Sequence, residues 1–211
     1  IAVEKDDALI YLLKEKFAKE IEEEKLVLVR GDILKLDFEE HDLKKDNYKI
    51  VANIPYYITG EFLRKILSSD IQPSQMVLLV QKEVAERIAR SKKESILSVS
   101  VKVYGEPKYI QTVKAGSFSP APKVDSAILS IENISKQFFT NSEVQPHCSE
   151  KRFFEVVKTG FAHKRKLLLG NLSVLKSKEE IKKAFVKAEI NEKARAEELS
   201  LEQWALVTKI I

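Results

Sequence analysis

Short apolar runs bounded by charged or turn residues recur along the first two thirds of the chain, whereas the last third carries apolar positions at helical spacing. Ile1-Ala2-Val3-Glu4 reads as the end of a buried strand that finishes in an acid. Ala8, Leu9, Leu12, Leu13 and Phe17 then repeat as one face of a helix, with Asp6 and Asp7 near its start. Leu26 to Val29, Lys49 to Ile54 and Met76 to Val80 predict further short strands. Phe62, Leu63, Ile66 and Leu67 predict a helix packed on the sheet, and another follows from Lys82 to Arg90, its Glu83 and Glu86 forming surface ion pairs. Ser98-Val99-Ser100-Val101-Lys102-Val103-Tyr104 alternates cleanly, which predicts a half-buried strand, and Tyr109 to Val113 and Val124 to Ile131 supply two more. Strands interleaved with helices in this way predict an open α/β sheet.

Residues 133–149 are polar and without period, and read as a linker. Beyond them Phe153, Phe154, Val156, Val157 and Phe161 start a helical series that continues through Leu167 to Leu169, Ile181, Phe185, Leu201, Trp204, Leu206 and Val207. The expected organisation is therefore an α/β domain over 1–132, a linker over 133–149 and a small α-helical domain over 150–211. Hydrophobic residues at 44% and charged residues at 32% are ordinary for a globular chain. No apolar run approaches the roughly 18 residues a membrane helix needs, and Ile1 to Lys5 lacks the features of a secretory signal. The single Cys148 forms no internal disulfide, and with three scattered histidines it offers no zinc spacing, so no metal is expected. These features favour a cytoplasmic protein. The net charge of +4 is unevenly spread: residues 151 to 187 hold eleven Lys or Arg against three Asp or Glu, so the rest of the chain is net acidic. Local positive charge of this kind suits either a phosphate-contacting surface or a solvated lysine-rich helix face.

The chemically suggestive segment is Asn53-Ile54-Pro55-Tyr56, directly after the strand Tyr48 to Ala52. An amine conjugated to a purine ring is a poor nucleophile, because its lone pair is delocalised. The Asn53 side-chain oxygen and the carbonyl before Pro55 could accept its two N–H hydrogens, favouring a pyramidal nitrogen with its lone pair directed at an electrophile. Tyr56 would stack on the base.

Asn53-Ile54-Pro55-Tyr56 resembles the Asn-Leu/Ile-Pro-Tyr motif of the ribosomal RNA adenine N6-dimethyltransferases. Gln81-Lys82-Glu83-Val84-Ala85-Glu86-Arg87, Phe118-Ser119-Pro120-Ala121-Pro122-Lys123-Val124-Asp125-Ser126, Phe161 to Leu168 and Arg195-Ala196-Glu197-Glu198-Leu199-Ser200 resemble further motifs of that family, in the same order. The resemblance implies a Rossmann-like class I methyltransferase sheet with a helical RNA-binding domain. It also implies S-adenosylmethionine as methyl donor and 16S rRNA in an immature small ribosomal subunit as partner, dimethylated on two adjacent adenosines near its 3′ end. By resemblance, Asn53 and the carbonyl of Ile54 orient the amine, Pro55 shapes the turn, and Tyr56 and Phe118 clamp the extruded base. Glu4, Asp32 and Asn53 would touch the cofactor, and Lys164, Arg165 and Lys166 the RNA backbone.

The family's first strand and Gly-x-Gly-x-Gly turn have no counterpart here, since the six glycines are isolated and the only methionine is Met76. We therefore expect an N-terminally truncated chain that binds S-adenosylmethionine weakly or not at all. Such a chain is expected to be monomeric, or strand-swapped or dimeric where an open sheet edge is covered. His163-Lys164 replaces the usual residue before the family's double arginine, and Gly60 stands where relatives have Ser/Thr-Pro. Two alternatives stay open: a 23S rRNA adenine methyltransferase of the macrolide-resistance type, and a non-catalytic ribosome-assembly factor on the same scaffold.

Overall fold

The computed structural model of the protein describes residues 1–140 and 148–211. They divide into two units, Ile1–Lys44 and Lys45–Ile211. In the first unit, β1 (Ala2–Glu4) and β2 (Leu28–Arg30) pair in parallel, with Glu4 opposite Arg30. Between them run α1 (Asp7–Lys16) and α2 (Ala18–Glu22). The Asp6 carboxylate caps α1 by accepting from the amides of Ala8 and Leu9, which explains an acid at that position.

The second unit is built on a four-stranded sheet in the order β3 (Lys49–Asn53), β4 (Gln75–Gln81), β6 (Ser126–Glu132), β5 (Glu106–Val113). β3 and β4 are parallel, whereas β6 is antiparallel to both β4 and β5. Met76, Leu78 and Val80 alternate into the core from β4, and Ala127, Leu129 and Ile131 do so from β6. The helix predicted after the third strand is α3 (Thr59–Ser68), which buries Phe62, Leu63, Ile66 and Leu67. α4 (Lys82–Ala89) follows β4 and carries the expected surface pairs, Arg87 with Glu83 and Lys82 with Glu86.

One predicted strand is a helix. Residues Ile96–Lys102 form α5, capped by Ser95, whose Oγ accepts from the Ser98 amide. The serines that produced the alternation bond within the helix, Ser98 to the Ser95 carbonyl at 3.0 Å and Ser100 to the Ile96 carbonyl at 2.6 Å. Ser98, Val99, Val101, Val103 and Tyr104 are all buried, so a period of two in polarity did not correspond to a period of two in burial.

The segment read as a linker contains α6 (Gln137–Thr140), where Phe138 and Phe139 meet Phe153 edge to face at 5.4 and 5.5 Å. The remainder of that reading, residues 141–147, lies outside the described residues. Then come α7 (Glu150–Gly160), α8 (Leu168–Leu172), α9 (Lys178–Lys187) and α10 (Leu201–Ile210). Ser149, Ser177 and Ser200 cap three of them, the last two in reciprocal boxes with Glu180 and Gln203. Trp204 on α10 is fully buried and stacks on Phe161 at 5.7 Å. Among the described residues no helix is long and apolar enough to cross a membrane.

Candidate active site

β3 delivers Asn53 to the sheet edge where β3, β4 and β5 end and β6 begins. Asn53 pairs with Leu79, and Ser126 pairs with both Gln81 and Val113. Asn53 and Pro55 are exposed, while Ile54 between them is buried and anchors the turn, its amide donating to the Leu79 carbonyl at 3.4 Å. The alternation inherited from the strand therefore sends Asn53 outward and Ile54 inward. Pro55, at φ −53° and ψ 131°, redirects the chain into a 3-10 turn over Tyr56–Ile58, closed by the Ile58 amide on the Pro55 carbonyl. Tyr56 is half-buried and its phenol oxygen lies 2.7 Å from Ser126 Oγ, whereas Tyr57 is 86% exposed. Gly60 falls in the first turn of α3, where an added Cβ would meet nothing within 4 Å.

Phe118 comes to the same sheet edge by the loop that joins β5 to β6. A 3-10 turn over Ala115–Ser117 precedes it, and its ring is half-buried. Asp125 closes the loop at its base: its carboxylate accepts from the Ala115 amide at 3.0 Å and from Lys114 Nζ at 3.1 Å. These two donors, the Ala115 amide foremost, hold the Asp125 carboxyl below its ordinary pKa. The structure thus gathers Asn53, Tyr56 and Phe118 at one edge and adds Asp125 and Ser126, which sequence reasoning had quoted in a motif without a role. A polar residue opening a central strand was the available signal.

In the first unit Glu4 and Asp32 come together at the carboxyl ends of β1 and β2. Glu4 Oε1 accepts from the amides of Lys5 and Asp6 at 2.7 and 2.8 Å, and the Gly31 amide donates to the Glu4 carbonyl. Asp32 is half-buried and accepts from Lys5 Nζ at 2.8 Å and the Leu34 amide at 3.0 Å. The Lys5 bond first, then the Leu34 amide, lowers its pKa. Both side chains are acceptor-only when ionised, and each carboxylate has about four lone-pair sites, so capacity remains for hydroxyl or amine donors. This set of acceptors fits a nucleoside with free hydroxyls and an exocyclic amine. Lys5, adjacent to Glu4 in sequence, was not singled out by the sequence pattern.

Lys164, Arg165 and Lys166 occupy the turn between α7 and α8, all exposed. The buried Asn171 holds that turn by donating from Nδ2 to the carbonyls of Gly160 at 2.6 Å and His163 at 3.2 Å. A groove of about 580 Å³ runs beside it, lined by Arg87, Lys93, His163, Lys164 and Lys166 together with Glu94 and Glu197. The closing Arg195 to Ser200 segment acts as a structural joint. Glu197 pairs with Lys93 at 2.6 Å, Glu198 accepts from the Arg195 amide, and Ser200 caps α10.

A model of the family described as ribosomal RNA adenine dimethylase matches residues 1–211. A protein named ribosomal RNA small subunit methyltransferase A from Fusobacterium nucleatum is 38% identical over 211 residues, which is 99% of this chain and 76% of that protein. Its namesake from Dehalococcoides mccartyi is 40% identical over 207 residues, covering 97% of this chain and 68% of the relative. Among solved structures, a dimethyladenosine transferase from Plasmodium falciparum superposes with a TM-score of 0.77 at 22% identity, over 97% of this chain and 78% of its own. The 23S rRNA methyltransferase ErmE does so with a TM-score of 0.67 at 21% identity, over 98% and 79%. These two likenesses establish a Rossmann-like methyltransferase fold.

Proposed function

The chain belongs to the ribosomal RNA adenine dimethylase family, and on that premise we propose that it serves N6-dimethylation of two adjacent adenosines near the 3′ end of 16S rRNA in an immature small subunit. The carrying observation is a match over all 211 residues, with Asn53-Ile54-Pro55-Tyr56 at the carboxyl edge of β3. The small-subunit reading draws support from relatives at 38% and 40% identity that bear a small-subunit name, against 21% for the 23S enzyme.

When bound, S-adenosylmethionine supplies an electrophilic methyl group on a sulfonium sulfur. The chain's own part is positioning. Asn53 Oδ1 accepts one N–H of the adenine amine and the Ile54 carbonyl the other, which frees the nitrogen lone pair from the ring. Tyr56 and Phe118 offer aromatic faces to a base taken out of its helix, worth roughly 1–3 kcal/mol per stacked base. Glu4 and Asp32 accept from cofactor hydroxyls and amine, and Lys164, Arg165 and Lys166 bind phosphate. Residues 150–211 make up the RNA-binding domain in this reading.

The six glycines stand apart, and none forms a Gly-x-Gly-x-Gly turn. We accordingly expect these 211 residues alone to hold S-adenosylmethionine weakly. Titration calorimetry decides this point: a dissociation constant in the low micromolar range would refute it.

The functional test incubates the protein with labelled S-adenosylmethionine and unmethylated ribosomal particles of each size. Label on paired adenosines of the small subunit is expected. Label on the large subunit would move the protein to the 23S branch, and particle binding without label would make it an assembly factor. Asn53→Ala should abolish label, by about a hundredfold or more, while leaving RNA affinity unchanged.

A further inference from the structure

We propose that Asp125 and Ser126, at the head of β6, are positioning residues that set the two aromatic faces of the base site, Phe118 and Tyr56. The inference rests on the methyltransferase reading above and adds to it which residues hold the clamp. Consecutive residues of an extended chain point to opposite sides, so one dipeptide can brace two different segments.

Ser126 is fully buried, and the strands on either side fix it, through pairing with Gln81 of β4 and Val113 of β5. Its Oγ lies 2.7 Å from the Tyr56 phenol oxygen, seventy residues away in sequence. Tyr56 sits on a short exposed turn, where its ring would otherwise sample several rotamers. A hydrogen bond at the far end of that ring fixes where the ring points with respect to the sheet.

Asp125 acts on the other face. Its carboxylate takes the Ala115 amide and Lys114 Nζ, and its carbonyl takes the Lys82 amide at 3.0 Å. Two bonds therefore close the base of the 114–125 loop, and the third ties it to the start of α4. The Phe118 amide donates in turn to the Ala115 carbonyl at 3.2 Å, so the anchor reaches the aromatic residue through one short turn. Neither residue offers a base anything to stack on. Their contribution is to keep two aromatic faces at a fixed separation, which lowers the entropy cost of seating a flipped base. Phosphate affinity resides elsewhere and should not depend on them.

The test binds the full chain to a small-subunit RNA hairpin with 2-aminopurine at the target adenosine. Total affinity is measured by filter binding, and seating of the base by the fluorescence change at saturation. Ser126→Ala and Tyr56→Phe remove the same hydrogen bond, so each should cut the seated fraction by about threefold to tenfold. The double variant should lose no more than either alone, which is the signature of one shared contact. Asp125→Asn, whose Oδ1 still accepts from Ala115, should keep most of the signal, and Asp125→Ala should lose it. Filter-binding affinity should fall only as far as the lost seating of the base requires, because the phosphate contacts carry the rest. Should Ser126→Ala fail to fold, Tyr56→Phe removes the bond from the half-exposed side and decides alone. Additive losses, a fall in total affinity larger than the lost seating requires, or variants equal to wild type would overturn the inference only. A wild-type chain that binds RNA with no fluorescence change would overturn the base-site reading, and this inference with it.

Discussion

Replacing Gly160 by alanine sets a backbone gain against a steric clash. Alanine is the better helix former, and the substitution also narrows the unfolded ensemble, together favouring the variant by up to about 1 kcal/mol. Gly160, however, closes α7 against α10, where an added Cβ would run into the Trp204 ring and stand 2.9 Å from Leu168 Cδ1. Trp204 and Leu168 are both fully buried, and the indole is wedged against Phe161, so neither can yield cheaply. Overpacking of this kind costs about 1–3 kcal/mol. We expect the clash to win by about 1–2 kcal/mol, lowering the melting temperature by roughly 2–8 °C for a chain of this size. Gly170 on α8 is the control, because nothing lies within 4 Å of its added Cβ, and Gly170→Ala should stabilise by about 0.5–1 kcal/mol. The assay is urea unfolding followed by fluorescence of Trp204, the only tryptophan. The variant should also loosen RNA binding, since the Gly160 carbonyl is one of two that Asn171 uses to hold the basic turn. A Gly160→Ala protein at least as stable as wild type would refute the packing argument.

Converting Lys164, Arg165 and Lys166 together to glutamine should weaken RNA binding for all sequences alike. It should lower the slope of log affinity against log salt by about two to three; an unchanged slope would remove these residues from the phosphate-contacting set. Asp125 carries a signed pH dependence. Its carboxyl is depressed from the ordinary 3.8, so the loop contact is complete above that value and is lost as pH falls through the lowered one. The Ala115 amide, followed by NMR, should titrate with a midpoint below 3.8, and a midpoint at or above it would show that neither that amide nor Lys114 favours the ionised carboxylate.

The strands were readable where a short apolar run is bounded by charged or turn residues. The continuous apolar run Met76 to Val80 was read as a buried strand and is β4, although only Met76, Leu78 and Val80 of it are fully buried, and the strand read as Lys49 to Ile54 is β3, ending one residue earlier at Asn53. The reading failed at α5, because small serines and valines fill a helix that is buried on most sides, and polarity no longer reports exposure there. It also read residues 133–149 as plain linker, although Phe138 and Phe139 pack on Phe153, since two adjacent aromatics make no period. Asn53, Tyr56 and Phe118 were legible as site candidates because their motifs are local in sequence.

What the chain determined by itself was therefore local: the acceptor turn after β3, the caps at Asp6, Ser177 and Ser200, and the basic run at Lys164 to Lys166. Only the tertiary structure decided what holds those pieces. The Tyr56 to Ser126 bond spans seventy residues, Asn171 braces the basic turn, and Gly160 is required by an indole that arrives from α10. Hydrogen bonding and steric fit between distant segments depend on distances that exist only once the sheet has paired and the helices have packed, and no periodicity in the sequence encodes them.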